Sequence, residues 1–339
     1  MPRDYDPFLF IAWAPYSRRS ETFARAFQGQ LHCIHYLRFQ QPLLAPPKYL
    51  LQSLRTLQVL AKEKPRVVHV QNPPIFCGLV VSFWCWCTRS VFVFDHHSAA
   101  FAPVWRWALP LQKHLARSAV TNIVTGTRWA EIVDSWGADA LIMGDPFLPL
   151  PQGEHRTLEP GFDLVYIGTY APDEPLAQVI QAVSELPQVH LYITGDNKRK
   201  SQRFHDSLPG NVTCTGFLPD AEYVSLLRSA DAIMVLTTRD HTLQLGGCEA
   251  ISLGQPLITS DWPLLREFFP RGTIHVDNSI HSIRAGIQRM IREHSQLKAE
   301  SALLRSNKQM EWEHQSEQLE QSIIQAIGLK KHPRGAVQH

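Results

Sequence analysis

Two glycines and an acid follow one another closely in TLQLGGCEAISLGQPLITSD (242–261), a spacing that suits an anion with a sugar attached. A helix starting near Gly246 and Gly247 presents unpaired backbone N–H groups, and its dipole favours negative charge. Glycine there lets a ligand come close to the backbone. Glu249 would repel a phosphate but can accept hydrogen bonds from sugar hydroxyls, as an acid holds the ribose in dinucleotide sites. Phosphate with ribose means a nucleotide. The plainer alternative is a glycine-capped helix carrying a solvated glutamate.

Two further clusters have chemical capacity. In FLFIAWAPYSRRSETFARAF (8–27), Tyr16, Ser17, Arg18 and Arg19 fall in the loop beyond an apolar strand, with Ser20 as N-cap of the next helix. Adjacent arginines there can hold a phosphate, of a donor or of a lipid-linked acceptor. Solvated arginines on a polar loop are the alternative. In VFVFDHHSAAF (91–101) a strand ends on Asp95, His96 and His97. A metal on the two histidines would need a further clustered ligand, and none stands nearby. Histidines capping a helix start are the structural alternative. Asn72, after another strand, is read as holding the Pro73–Pro74 turn.

The elements that must position these groups are those of a soluble globular protein. The chain has 339 residues, 44% hydrophobic and 19% charged, with a net charge of +2. That balance gives no bulk argument for nucleic acid or another polyanion. Six cysteines form neither CxxC pairs nor a disulfide framework, so reduced thiols are expected. The N-terminus lacks a basic start and a small-residue cleavage site. IFCGLVVSFWCWC (75–87) is too short for a bilayer, which needs about 20 apolar residues, and reads as a buried helix. The aromatic stretches FWCWC and FAPVWRWALPLQKHLARSA are assigned to core, with a membrane-lipid interface as the alternative. A cytoplasmic protein is expected, with peripheral contact on the inner face of a membrane as a variant.

Short apolar runs alternate with amphipathic stretches, the pattern of parallel sheets with crossover helices. Strands are expected at 8–14, 31–37, 66–71, 90–95, 119–126 and 138–145, with helices at 20–27 and 48–64. After a proline-rich linker the pattern resumes. Strands are expected at 163–168, 189–195, 211–217, 232–237 and 256–260, with helices at 174–186, 221–230 and 245–253. This gives an N-terminal domain over 1–150, a linker over 151–162 and a second domain over 163–310. A helix over 311–328 is expected to pack back on the first domain, before a basic tail over 329–339.

VYIGTY, LYITGDN, VTCTGFLPDAEYVSLLRSADAIMVLTT and CEAISLGQPLITSD occur in that order between residues 165 and 261. In order and spacing they resemble the donor domain of family 4 retaining glycosyltransferases, closed by the specific pattern Glu-Ala-x-x-x-Gly-x-Pro. The resemblance covers roughly 163–290, and the first half more loosely. It implies an α/β protein of the GT-B fold, two Rossmann-like parallel-sheet domains facing across a cleft. It further implies a nucleotide-sugar donor, UDP- or GDP-linked, used as substrate without a cofactor or metal. A hexose would pass with retention to a glycan or lipid-linked acceptor, in bacterial surface polysaccharide synthesis.

The same resemblance assigns residues. Gly168, Thr169, Gly195 and Asp196 fall on the donor-site loops, and Glu249 matches the acid that holds the ribose. The family has a second acid where His241 stands, and His241 could donate to a sugar hydroxyl or a phosphate instead. The family's Arg and Lys that neutralise the diphosphate are replaced by Thr169, Tyr170 and APDEP. Developing negative charge needs a partner. Arg239 is favoured, with Lys198-Arg199-Lys200 and Arg18-Arg19 as further candidates. Asp95-x-His97 resembles the family's Asp-x-His, which places His97 near the reacting carbon, with His96 second and Asp95 setting the imidazole tautomer. A GT-B nucleotide-sugar 2-epimerase and a sugar-nucleotide-binding pseudoenzyme are the alternatives.

Overall fold

A computed structural model describes residues 6–37, 44–144, 155–197 and 202–331. By its contacts the chain divides into two compact units, Met1–Pro146 with Glu311–His339, and Phe147–Met310. Residues 151–154 of the expected linker, 332–339 of the expected tail and the cluster Lys198-Arg199-Lys200 lie outside the described residues.

The first unit holds β1 (Phe8–Ala12), α1 (Arg18–Ala26), β2 (Gln30–Cys33), α2 (Ala45–Glu63), β3 (Val67–Asn72), α3 (Ile75–Thr88) and β4 (Val91–His96). Two 3₁₀ turns, Ser98–Phe101 and Pro103–Ala108, lead into α4 (Leu109–Ser118), β5 (Asn122–Val124), α5 (Thr127–Ser135) and β6 (Ala140–Ile142). Its six strands are parallel, in the order β2-β1-β3-β4-β5-β6. Strand side chains alternate between faces. Phe8, Phe10, Val67, Val91 and Val93 therefore pack with Phe23 and Phe27 on one face. Leu9, Ile11, Val68, Val70, Phe92 and Phe94 pack with Val81 and Leu115 on the other. Burial on both faces is why these strands read as continuous apolar runs.

The second unit repeats the plan with β7 (Phe162–Tyr166), α6 (Leu176–Ser184), β8 (Val189–Thr194), α7 (Gln202–Asp206), β9 (Val212–Gly216), α8 (Asp220–Ser229) and β10 (Ala232–Val235). It continues with α9 (Leu245–Ser252), β11 (Leu257–Ser260), α10 (Pro263–Phe268), β12 (Thr273–Val276) and α11 (Ile280–Arg292). Its parallel order is β12-β11-β10-β7-β8-β9. The 38-residue α12 (His294–Lys331) counts with this unit to Met310 and with the first unit from Glu311. Within the first unit Leu319 and Ile323 are buried beside Phe8 and Phe23, and Trp312 lies 5.9 Å from the Phe27 ring.

Several expectations change. Strands are shorter than their apolar runs: β2 stops at Cys33, and β5 and β6 have three residues each. α5, α10 and β12 are additional elements. The assignment of FWCWC and of 101–119 to core holds for only part of each. Cys85, Ala108 and Leu115 are buried, while Phe83, Trp86, Val104 and Trp107 are exposed. α3 packs on β3 and β4 and buries the face towards them, leaving Phe83 and Trp86 on the other, while Val104 and Trp107 stand out from the second 3₁₀ turn. Among the described residues no helix is long and apolar enough to cross a membrane.

Candidate functional site

In open parallel sheets ligands bind beyond the carboxyl ends of the strands, where strand order reverses. That point lies between β1 and β3 in the first sheet and between β7 and β10 in the second.

At the first switch point α1 begins earlier than expected. Ser17, not Ser20, is the N-cap, accepting from the Ser20 N–H at 3.3 Å. Ser20 is buried in the first turn, its hydroxyl 2.8 Å from that of Ser17. Arg18 and Arg19 are thus helical, not loop, residues. The Arg19 side chain is 10% exposed and meets the fully buried Asp95 at 3.1–3.2 Å through Nε and a terminal nitrogen. That terminal nitrogen also donates to the Met143 carbonyl at 3.0 Å. The guanidinium is consumed inside the unit, which corrects its assignment to a phosphate. Tyr16 is exposed and donates to Glu21 at 2.8 Å.

Alternation along β4 sends Asp95 and His96 to opposite faces. Asp95 joins Arg19, with His97 Nε2 at 3.4 Å and His69 Nε2 at 3.9 Å. Burial alone would raise its pKa, but the charge of Arg19 and then the contact with His97 hold it well below the usual carboxylate range. The His97 contact is too long for a full hydrogen bond and acts electrostatically. His97 is partly exposed, and its N–H donates to the Asn72 carbonyl at 2.9 Å.

His96 is fully buried, and its pKa is pushed down to about 4 by that burial. Asn122 Nδ2 donates to the carbonyls of Ala116 and Asp139, leaving its Oδ1 to accept from His96 Nε2 at 3.0 Å. His96 Nδ1 is then the lone pair that accepts from Asn72 Nδ2 at 3.0 Å. With both ring nitrogens satisfied by protein, His96 is a neutral core histidine and does not line a site. Asn72 serves this network as well as its turn. His69, stacked on Phe10 at 4.7 Å, is likewise pushed to about 4 by burial.

The second switch point is built differently. Gly195, at φ +107°, lies so close to the Gly168 carbonyl that a Cβ would overlap it. The loop after β7 is tied by an acid: Glu174 accepts from the Thr169 N–H at 2.8 and 3.0 Å and from its hydroxyl at 2.7 Å. Asp173 accepts from the Thr237 hydroxyl at 3.0 Å and pairs with Arg239 at 3.2 Å. Arg239 is therefore not an uncommitted cation, and its partner is Asp173, not Asp240. Asp240 holds His241 at 2.8 Å, with His241 at φ +54°. Asp196 is exposed at the end of β8.

α9 does start at Leu245, capped by Gln244. The N–H groups of Gly247 and Cys248 turn back to the Gln244 carbonyl at 3.1 and 3.4 Å. Those of Leu245 and Gly246 have no acceptor among the described residues. The glycines themselves answer to packing. A Cβ on Gly246 would lie 2.9 Å from Ile167, and one on Gly247 2.8 Å from Phe269, so neither faces a ligand. One turn in, Glu249 accepts from the Tyr223 hydroxyl at 2.6 Å, which fixes its carboxylate. The buried Tyr166 hydroxyl and Gln244 Oε1 have no partner among the described residues.

Asp173, Glu174, Thr237, Tyr223 and Gln244 escaped the sequence reading. The only signal for the two acids was APDEP in place of cations. Among the described residues no three His, Cys, Asp or Glu side chains group as a metal site.

The two six-stranded parallel sheets with flanking helices are the two-domain, Rossmann-like GT-B fold. Residues 161–293, within the second unit, match the family described as Glycosyl transferases group 1. Similar solved structures include sucrose-phosphate synthase from Thermosynechococcus elongatus, 16% identical, TM-score 0.69, covering 95% of this chain and 99% of that one. Anabaena HepE in complex with UDP-glucose is 13% identical, TM-score 0.69, over 92% and 99%. A putative UDP-N-acetylglucosamine 2-epimerase from Listeria monocytogenes is 11% identical, TM-score 0.59, over 87% and 91%. No curated protein matches the sequence.

Proposed function

We propose that the protein is a retaining hexosyltransferase that takes its sugar from a nucleoside diphosphate. One observation carries this reading. At the switch point of the second sheet, α9 begins with two N–H groups lacking acceptors, and Glu249 is held one turn in by Tyr223. The first feature suits a phosphate and the second a ribose. HepE, similar in fold, binds UDP-glucose. His97, partly exposed at the end of β4, is the candidate beside the acceptor, a glycan or lipid-linked sugar of bacterial surface polysaccharide. The acceptor hydroxyl attacks on the face from which the diphosphate leaves, and the leaving phosphate helps to take its proton. No side chain is proposed as nucleophile.

A second reading, binding without turnover, is favoured by one feature. The loop after β7, which would meet the diphosphate, carries Asp173 and Glu174 and no cation, and Arg239, after β10, is paired with Asp173. Thermal-shift titration with UDP, GDP and ADP, followed by transfer and hydrolysis assays of the matching sugars, separates the two. A ligand bound to the folded form raises apparent stability. UDP or GDP is expected to shift the melt and Glu249→Ala to abolish both shift and turnover. No shift with any nucleotide would remove the donor site. A shift without turnover would leave only binding, and a free epimerised sugar nucleotide released without acceptor would reassign the reaction.

A further inference from the structure

We infer that the outer face of α3, with the groove between it and α4, docks on an anionic phospholipid bilayer. Leu79, Phe83 and Trp86 are spaced i, i+4, i+7 along α3, so they share one helix face. They line a groove of about 510 Å³ whose other wall carries His114 and Ser118 of α4. Trp86 is 76% exposed, Phe83 57% and Trp107 64%. The Trp107 ring lies 6.0 Å from Phe76 at the start of α3. The apolar surface thus follows the whole helix, roughly 20 Å at 1.5 Å per residue. Val104 and Leu109, also exposed, extend it beside Trp107.

Charge selects the occupant. Between residues 64 and 130 the sequence holds seven Lys and Arg against one acid, Asp95, which is buried. The whole chain is nearly balanced, at 33 basic to 31 acidic. Arg89 follows Trp86 by three residues, Arg106 stands between Trp105 and Trp107, and Lys113 lies on α4. Tryptophan with flanking cations matches the headgroup level of a bilayer with negative surface charge. An apolar helix face too short to span lies in that interface plane. A second copy of this chain would bring like charges together around the same groove.

The inference needs no assumption about donor or acceptor. Flotation of the full chain tests it, using vesicles of phosphatidylcholine alone or with phosphatidylglycerol at about 7:3. The chain should float with the mixed vesicles, stay behind with the neutral ones, and come off as salt rises. Each surface cation contributes about fivefold to partitioning, so Arg89→Glu with Arg106→Glu should cost at least about tenfold. Phe83→Ser with Trp86→Ser should cost as much. Both pairs should melt at the wild-type temperature, because the side chains are exposed. Equal flotation with both vesicles, or variants that float like wild type, would overturn the inference. So would a wild-type dimer by light scattering that the Phe83→Ser, Trp86→Ser pair turns into a monomer.

Discussion

The two switch points use similar residues to opposite ends. At the first, Arg19, only 10% exposed, pairs with buried Asp95, and buried His96 bonds separately to Asn72 and Asn122, while both ring nitrogens of His69 and the Asn72 Oδ1 lack hydrogen-bond partners among the described residues. At the second, Arg239 and Asp173 pair near solvent, the Tyr166 hydroxyl and Gln244 Oε1 lack partners, and α9 opens with unmet N–H groups. The same ion-pair chemistry is scaffold in one sheet and candidate site in the other. Burial makes the difference.

The largest expected effect tests that contrast directly. Arg19→Met leaves Asp95 buried without its cation, which should cost about 3–5 kcal/mol. Arg239→Met removes an arginine that is 65% exposed and should cost no more than about 1 kcal/mol. Hydrogen exchange at Val70 and Phe94 in the first unit, and at Met234 in the second, reads each unit separately. Equal losses in the two variants would erase the distinction.

Next in size is a pH dependence confined to the first unit. His69 and His96 sit near pKa about 4 when folded, against about 6.5 unfolded. A depressed folded pKa gives stability that is complete above about pH 6.5 and is lost as pH falls towards 4. Each histidine therefore contributes a slope of about 1.4 kcal/mol per pH unit in that window. Asp95, depressed further, adds its loss only below about pH 4, where the unfolded carboxyl takes up a proton. Exchange at Phe94 should accelerate from pH 6.5 downwards, and His69→Phe should remove about half of the slope. A flat profile would mean that these rings are not neutral in the folded chain.

Smaller again is the packing of α9. Gly247→Ala forces a methyl against Phe269 and should destabilise the second unit by about 1–3 kcal/mol. The first unit should keep its exchange pattern. If the only effect were on nucleotide binding, the glycine would serve a ligand after all.

The parallel strands and the start of α9 were legible because buried parallel strands read as apolar runs and the Gly-Gly-x-Glu stretch sits where a helix must begin. Arg19 and His96 were not legible as scaffold. Whether an arginine after a strand faces water or a carboxylate depends on Asp95, far along the chain, and on the register that brings β4 beside β3. Adjacent residues such as Asp95 and His96 read as one motif in sequence, yet the pleat sends them to different faces. Asp173 and Glu174 were visible as missing cations, but the bond from Thr237 to Asp173 exists only once β7 and β10 are neighbours, and that from Thr169 to Glu174 only once the loop after β7 turns back on itself.

The smallest expected effect bears most directly on the second switch point. Glu174 accepts from the N–H and hydroxyl of Thr169, donors that could otherwise meet an anion at the end of β7. Glu174→Gln keeps an acceptor oxygen for Thr169 and removes one negative charge. Two charges 4 Å apart in water interact by about 1 kcal/mol, so nucleoside diphosphate should bind about fivefold tighter. The gain should shrink as salt rises, because Glu174 is only half-buried and its partner Thr169 is exposed. Folding stability should change by less than about 0.5 kcal/mol, as for other surface substitutions. Calorimetric titration at two ionic strengths gives the answer. Affinity that is unchanged, or weaker, places the phosphates away from this loop and leaves α9 as their sole anchor. Tighter binding that salt suppresses shows a site whose own acid restrains its ligand, which the closed network around Asp95 has no means to do.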